Sequence, residues 1–229
     1  TDKPIRSLAL FDADTPSEGS EIRCKGAKGV LTFDDEKQVM VKVAISSVSS
    51  ANALENLRTE IPGWDFKAVQ AEAIRRWNDE LAAIDRVYII ACGTSYHAGL
   101  IAKNLIEAWS RIPCEVEVAS EFRYRNPIIT PSTLVVAVSQ SGETADTLAA
   151  IRDARIKGAK VFGVTNVVGS PVARESDGVI YIKANKEIAV AATKSFLGQV
   201  AALTLLAMLL GQLRGGLTTA QIRMLFREM

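Results

Sequence analysis

The chain has 229 residues, enough for one large domain or a compact domain with an appendage, and its 48% hydrophobic and 23% charged content excludes a disordered polymer. A net charge of +1 provides no basic surplus for nucleic acid and no acidic tail for a polycationic partner. Three dispersed cysteines, Cys24, Cys92 and Cys114, form no metal-ligand spacing or disulfide framework, so a reducing cytoplasm fits and no metal or cofactor is expected.

Residues 1–75 differ in character from the rest and form a β-rich segment or linker of unassigned role. Two β-rich runs, Gly29–Phe33 and Gln38–Ile45, flank an acidic turn and predict a hairpin or two short strands. A short helix is expected near Ala51–Arg58, and Pro62-Gly63 marks a break. Asp65–Ile84 carries Phe66, Val69, Ala73, Ile74, Trp77, Leu81 and Ile84 at helical spacing, with Asp65 as N-cap.

From about residue 76 a single domain is expected, built on a repeating rhythm. Apolar runs at 87–92, 134–139, 159–166 and 178–184 and a short alternating strand at 114–119 are interleaved with helical stretches at 93–109 and 142–158, a short helix after Pro171, and a long apolar helix stopped by Gly215-Gly216. The apolar stretch Val200–Leu210 is too short to span a bilayer, which takes roughly 20 residues, and reads as a buried helix; no membrane association is expected, and the amino end shows no signal-peptide pattern. Apolar strands alternating with amphipathic helices give an α/β fold with a parallel sheet covered on both faces. In such sheets ligands sit beyond the carboxyl ends of the strands.

Two strand ends carry the same chemistry. Cys92-Gly93-Thr94-Ser95 follows the first run, and Ser139-Gln140-Ser141-Gly142-Glu143-Thr144 follows the second. Glycine permits close backbone approach, hydroxyls donate hydrogen bonds without bulk, and a helix start offers unpaired N–H groups to an anion. Phosphate suits such an assembly. Either cluster taken alone reads more readily as a simple helix N-cap; the two at neighbouring strand ends shift the balance, and residue types then leave both readings open. Neither GxxxxGK[ST] nor a strand-following GxGxxG occurs, which argues against a nucleotide.

The segments "IACGTSYHAG", "EVEVASEFRYR", "SQSGETADTL" and "EIAVAATKSF" resemble the first SIS (sugar isomerase) domain in the isomerase part of the glutamine–fructose-6-phosphate aminotransferases, or glucosamine-6-phosphate synthases, over about Leu81–Leu213. The resemblance implies a flavodoxin-like sheet of five parallel strands that binds phosphosugars such as fructose-6-phosphate or glucosamine-6-phosphate. By motif, Ser139, Gln140, Ser141 and Thr144 correspond to a phosphate cradle. Thr94, Ser95, Val190 and Ala192 correspond to sugar contacts. Ala192 stands where the family pattern often has Ser, removing one hydroxyl.

Glu187 reads as a structural carboxylate, His97 as a surface or packing histidine, and Cys92 as a packed thiol. Arg123 and Arg125 read as loop or interface residues, and Lys194 as the start of the last helix. The family's acid/base Glu, its His and its Schiff-base Lys lie in a second SIS unit, and its glutaminase Cys in a preceding domain. None has a counterpart in this sequence, so no catalytic residue is assigned and no turnover is expected from the chain alone. A homodimer, or pairing with a second SIS domain, is implied. The alternative is a regulatory module that senses a phosphosugar without catalysis.

Overall fold

The computed structural model describes residues 5–12, 27–33, 42, 49–185 and 192–228. It divides into two compact units, Thr1–Val69 and Gln70–Met229.

In the first unit, β1 (Ile5–Asp12) pairs antiparallel with β2 (Ala27–Phe33). The run at Gly29–Phe33 is thus a strand, paired with β1; Gln38–Ile45, apart from Lys42, lies outside the described residues. The expected short helix is α1 (Ser50–Glu60), capped by Ser49, whose hydroxyl accepts from the Asn52 N–H at 3.1 Å. Helix α2 (Phe66–Ala82) begins where Asp65 caps it, the carboxylate accepting from the Ala68 N–H at 3.0 Å.

The second unit is a five-stranded sheet in the order β4-β3-β5-β6-β7, with every pairing parallel. The strands are β3 (Arg86–Ala91), β4 (Cys114–Val118), β5 (Thr133–Ser139), β6 (Lys160–Thr165) and β7 (Gly178–Tyr181). Counted from β3 the order is second, first, third, fourth, fifth, the flavodoxin-like arrangement. The connecting helices are α3 (Thr94–Ser110), α4 (Ala119–Arg125), α5 (Ala145–Ile156) and α6 (Pro171–Glu175), followed by α7 (Lys194–Leu213) and α8 (Thr219–Glu228).

Both sheet faces are buried, and the two-residue period of a strand divides their side chains cleanly. Val87, Ile89 and Ala91 of β3 and Leu134, Val136 and Val138 of β5 join Ala98, Ala102 and Ile106 of α3 and Leu203, Leu206 and Leu210 of α7 in one core. Tyr88, Ile90, Val135 and Ala137 point the other way, onto Phe122 of α4 and Ala150, Ile151 and Ala154 of α5. This is why these strands read as unbroken apolar runs. Each fully buried aliphatic side chain contributes about 1.5–3 kcal/mol of transfer free energy.

The last long helix extends well beyond the apolar stretch that marks it in the sequence. α7 has 20 residues and, by length and composition, could cross a bilayer; half of its most apolar window is buried inside the unit. Its buried face lies on α3 and the sheet, as expected for a core helix.

The apolar stripe of α2 is buried only near its carboxyl end, at Leu81, while Ile74 stays 53% exposed. The segment Glu121–Arg125 forms most of the short helix α4 and not a loop. Arg125 is ion-paired to Glu117 and, at 3.2 Å, to Glu115, which ties the end of α4 to the edge strand β4. The Glu117 carboxylate, and after it the Tyr88 side chain, raises the pKa of the Arg125 guanidinium further. Arg125 is therefore engaged with protein carboxylates.

Candidate functional site

Strand register brings the two hydroxyl-bearing bends together. Ala91 of β3 stands beside Val138 of β5, so the residues that follow, Cys92 and Ser139, leave the sheet side by side. Neighbouring strands lie ~4.8 Å apart. β3 and β5 are also the pair at which the winding reverses: α3 leaves β3 for one face and α5 leaves β5 for the other. A crevice opens between two such departing chains, at the carboxyl edge of the sheet.

The β5 bend is cross-linked internally. Ser139, 3% exposed, places its Oγ 3.0 Å from Thr144 Oγ1 and accepts the Gly142 N–H at 3.0 Å. Ser141 Oγ accepts the Glu143 N–H at 3.2 Å. The Gln140 carbonyl accepts from the Asn166 N–H at 3.1 Å, which fixes the bend to the end of β6. Gly142 has φ +68°, and its carbonyl accepts the Val172 N–H at 3.0 Å. A Cβ at Gly142 would collide with Ser170, the cap of α6, and approach Thr165 Oγ1 to 2.8 Å. Glycine is thus required both by backbone geometry and by space.

Thr144 is the N-cap of α5, yet its hydroxyl makes no capping bond and turns to Ser139 instead. The simple capping reading therefore fails here: the side chain best placed to cap α5 leaves the helix start uncapped. The positive end of the helix dipole and its first N–H groups remain available to an anion. Glu143 and Asp146 are exposed beside this helix start.

The β3 bend is built differently. Gly93, with φ 57° and ψ −133°, precedes α3 and supplies no side-chain cap. Thr94 is exposed, whereas Ser95 is 6% exposed and its Oγ accepts from Gln199 Nε2 at 2.9 Å. Gln199 lies on α7, 1% exposed. Sequence reasoning passed over this residue, although an amide in a helix as apolar as LGQVAALTLLAMLLG must find a partner when buried. Among the described residues, Thr147 Oγ1, Asn166 Oδ1 and Gln199 Oε1 are buried without a hydrogen-bond partner.

Of the remaining candidates, Gln140 and Ser141 are half-buried on the β5 bend. Ala192 is half-buried just ahead of α7, which begins at Lys194 as expected. Val190 and Glu187 lie outside the described residues. His97 is exposed on α3, its ring edge-on to Tyr96 at 5.7 Å, consistent with a surface histidine. Cys92 and Cys114 are free thiols; burial, reinforced by Glu107, pushes Cys114 up to about 12. No group of three or more His, Cys, Asp or Glu side chains that could hold a metal occurs among the described residues.

The model of the SIS domain family matches residues 80–209, more than half of the chain. The chain belongs to the SIS domain family. Glutamine–fructose-6-phosphate aminotransferase [isomerizing] of Streptomyces coelicolor is 60% identical over 135 residues, covering 59% of this chain and 22% of that protein. The enzyme of the same name from Mycolicibacterium smegmatis is 50% identical over 166 residues, covering 72% and 26% respectively. The C-terminal domain of glucosamine-fructose-6-phosphate aminotransferase from Francisella tularensis superposes with a TM-score of 0.64 at 40% identity, over 66% of this chain and 43% of that one. The chain spans about a quarter of the length of the two curated relatives. The SIS match lies wholly within the second unit, from the end of α2 to late α7.

Proposed function

We propose that the SIS unit binds the phosphate end of a hexose phosphate, as the first isomerase-lobe domain of a glutamine–fructose-6-phosphate aminotransferase. The observation that carries this reading is the uncapped start of α5, where the Ser139 and Thr144 hydroxyls lie 3.0 Å apart beside a second hydroxyl-bearing bend. The names of the similar enzymes supply the substrate, fructose-6-phosphate, and the product, glucosamine-6-phosphate. In this reading Ser139, Gln140, Ser141 and Thr144 hold the phosphate, while Thr94, Ser95, Val190 and Ala192 line the sugar.

Phosphate binding does the positioning in such a reaction. Interactions with a part of the substrate that does not react hold the reacting carbons where acid and base groups can reach them. This chain contributes the anchor, and the groups that move protons come from a second SIS unit. The proposal includes pairing with such a unit or with a second copy. It also includes a reducing cytoplasm, with which the free thiols of Cys92 and Cys114 are in keeping.

Calorimetric titration with fructose-6-phosphate and glucosamine-6-phosphate tests the reading. Hydrogen bonds to a charged group contribute about 1.5–3 kcal/mol each. Ser139→Ala/Thr144→Ala should therefore weaken binding by at least ~100-fold. Equal affinity in the double variant refutes the cradle. An assay for amino-sugar product, with glutamine or ammonia supplied, then separates an anchor from a complete enzyme.

A further inference from the structure

We propose that Gln199 is a positioning residue that turns the Ser95 hydroxyl into an obligate donor toward the crevice. This rests on the phosphosugar reading above and assigns a role on α7 to a residue outside both bends.

A serine hydroxyl carries one proton and two lone pairs. Gln199 Nε2 donates to Ser95 Oγ at 2.9 Å, which occupies a lone pair and leaves the Ser95 proton to be given elsewhere. Within a helix a serine usually passes that proton to the carbonyl four residues back. Ser95 lies in the first turn of α3, and the residue four back, Ala91, is in β3, so the helical outlet is missing. Ser95 follows the carboxyl end of β3 by four residues, and β3 runs beside β5, whose bend leaves the same edge of the sheet.

The orientation of the amide has a cost. With Nε2 on Ser95, Gln199 Oε1 is buried with no partner. The reverse orientation would let Oε1 accept the Ser95 proton and withdraw the donor from the crevice, but would leave the two Nε2 protons in the partnerless position instead. A leucine at position 199 would avoid the unpaired oxygen but would leave Ser95 free to rotate. The arrangement present sacrifices a buried acceptor and orients a hydroxyl 104 residues away in sequence.

The test is a double-mutant cycle on the full chain, read by calorimetry with fructose-6-phosphate and with inorganic phosphate. Gln199→Met keeps the volume and removes the donor, and should weaken both ligands ~5–10-fold, as should Ser95→Ala. The double variant should bind no more weakly than Ser95→Ala alone, because Gln199 acts only through Ser95. A merely structural glutamine would lower affinity equally in either background, so a multiplicative loss overturns the proposal, as does wild-type affinity in Gln199→Met. Should Gln199→Met fail to fold, the side-chain amide resonances of Gln199 in the wild-type protein decide. They should move when fructose-6-phosphate is added and when Ser95 is replaced by Ala, and unmoved resonances overturn the proposal. If the wild-type chain binds neither ligand, the phosphosugar reading falls and takes this role with it; if it binds and only the cycle fails, that reading stands alone.

Discussion

The two bends that flank the crevice reach similar ends by opposite means. The β5 bend holds itself together: Ser139, Gly142 and Thr144 bond to one another within six residues. The β3 bend makes no hydroxyl cross-link of its own among the described contacts, and its Ser95 is oriented from α7. The hydroxyl contacts of the β5 bend are local, although its backbone is also tied to Asn166 and Val172, whereas the hydroxyl contact of the β3 bend needs α3 and α7 to have packed. Damage to the hydroxyls of the β5 bend should therefore come mainly from within the motif, and damage to the β3 bend also from α7.

The sharpest test of that difference replaces the two glycines in turn. Gly142→Ala combines a left-handed backbone with a collision at Ser170 and Thr165. It should cost about 3 kcal/mol or more in urea unfolding and abolish phosphosugar binding. Gly93→Ala has nothing within 4 Å of the new Cβ, so only backbone strain remains. A smaller loss, about 1–3 kcal/mol, is expected. Equal costs would mean that the β5 bend is not the more tightly enclosed of the two.

A second test probes the packing that supports the β3 side. Cys114 pairs in register with Val87, and burial raises its thiol from an ordinary 9.0 to about 12. The neutral thiol is favoured in the folded state, so its stabilising contribution is complete below about pH 9. It is lost as pH rises from 9 through about 12, because the unfolded chain ionises first. The urea midpoint of the wild type should fall more steeply over that window than that of Cys114→Ala, and parallel curves would refute the assignment. In the native state Cys114 should also resist iodoacetamide until the chain unfolds.

The smallest effect is expected on the β5 side. Arg152 of α5 meets Glu175 of α6 at 2.7 and 2.6 Å, but the arginine side chain is 62% exposed. Arg152→Ala should change stability by less than about 1 kcal/mol and leave ligand affinity unchanged. A large loss of affinity would show the β5 bend to depend on remote support after all.

What could be read from the sequence follows the same division. The central strands β3 and β5 appear as apolar runs because both sheet faces are covered there, and the β5 bend is visible because its hydroxyl partners Ser139 and Thr144 lie within six letters of one another. Residue types leave open whether Thr144 caps α5, and only the structure shows its hydroxyl 3.0 Å from Ser139 with no capping bond. The Gln199–Ser95 bond spans 104 residues and has no local signature beyond a polar letter in an apolar helix. The spacing in α2 correctly marks a helix, but periodicity reports a face and not what covers it, and only Leu81 in that helix is buried. The β1–β2 pairing has no local sign in the sequence, because antiparallel pairing depends on chain return and the strand paired with β2 is Ile5–Asp12.

The departure of α3 and α5 to opposite faces of the sheet has an evolutionary corollary. Each wall of the crevice is backed by its own layer of side chains, so a substitution behind one wall shifts that wall with little strain on its neighbour. Selection can thereby reshape one wall through the α3–α7 layer while the α4–α5 layer holds the other in place.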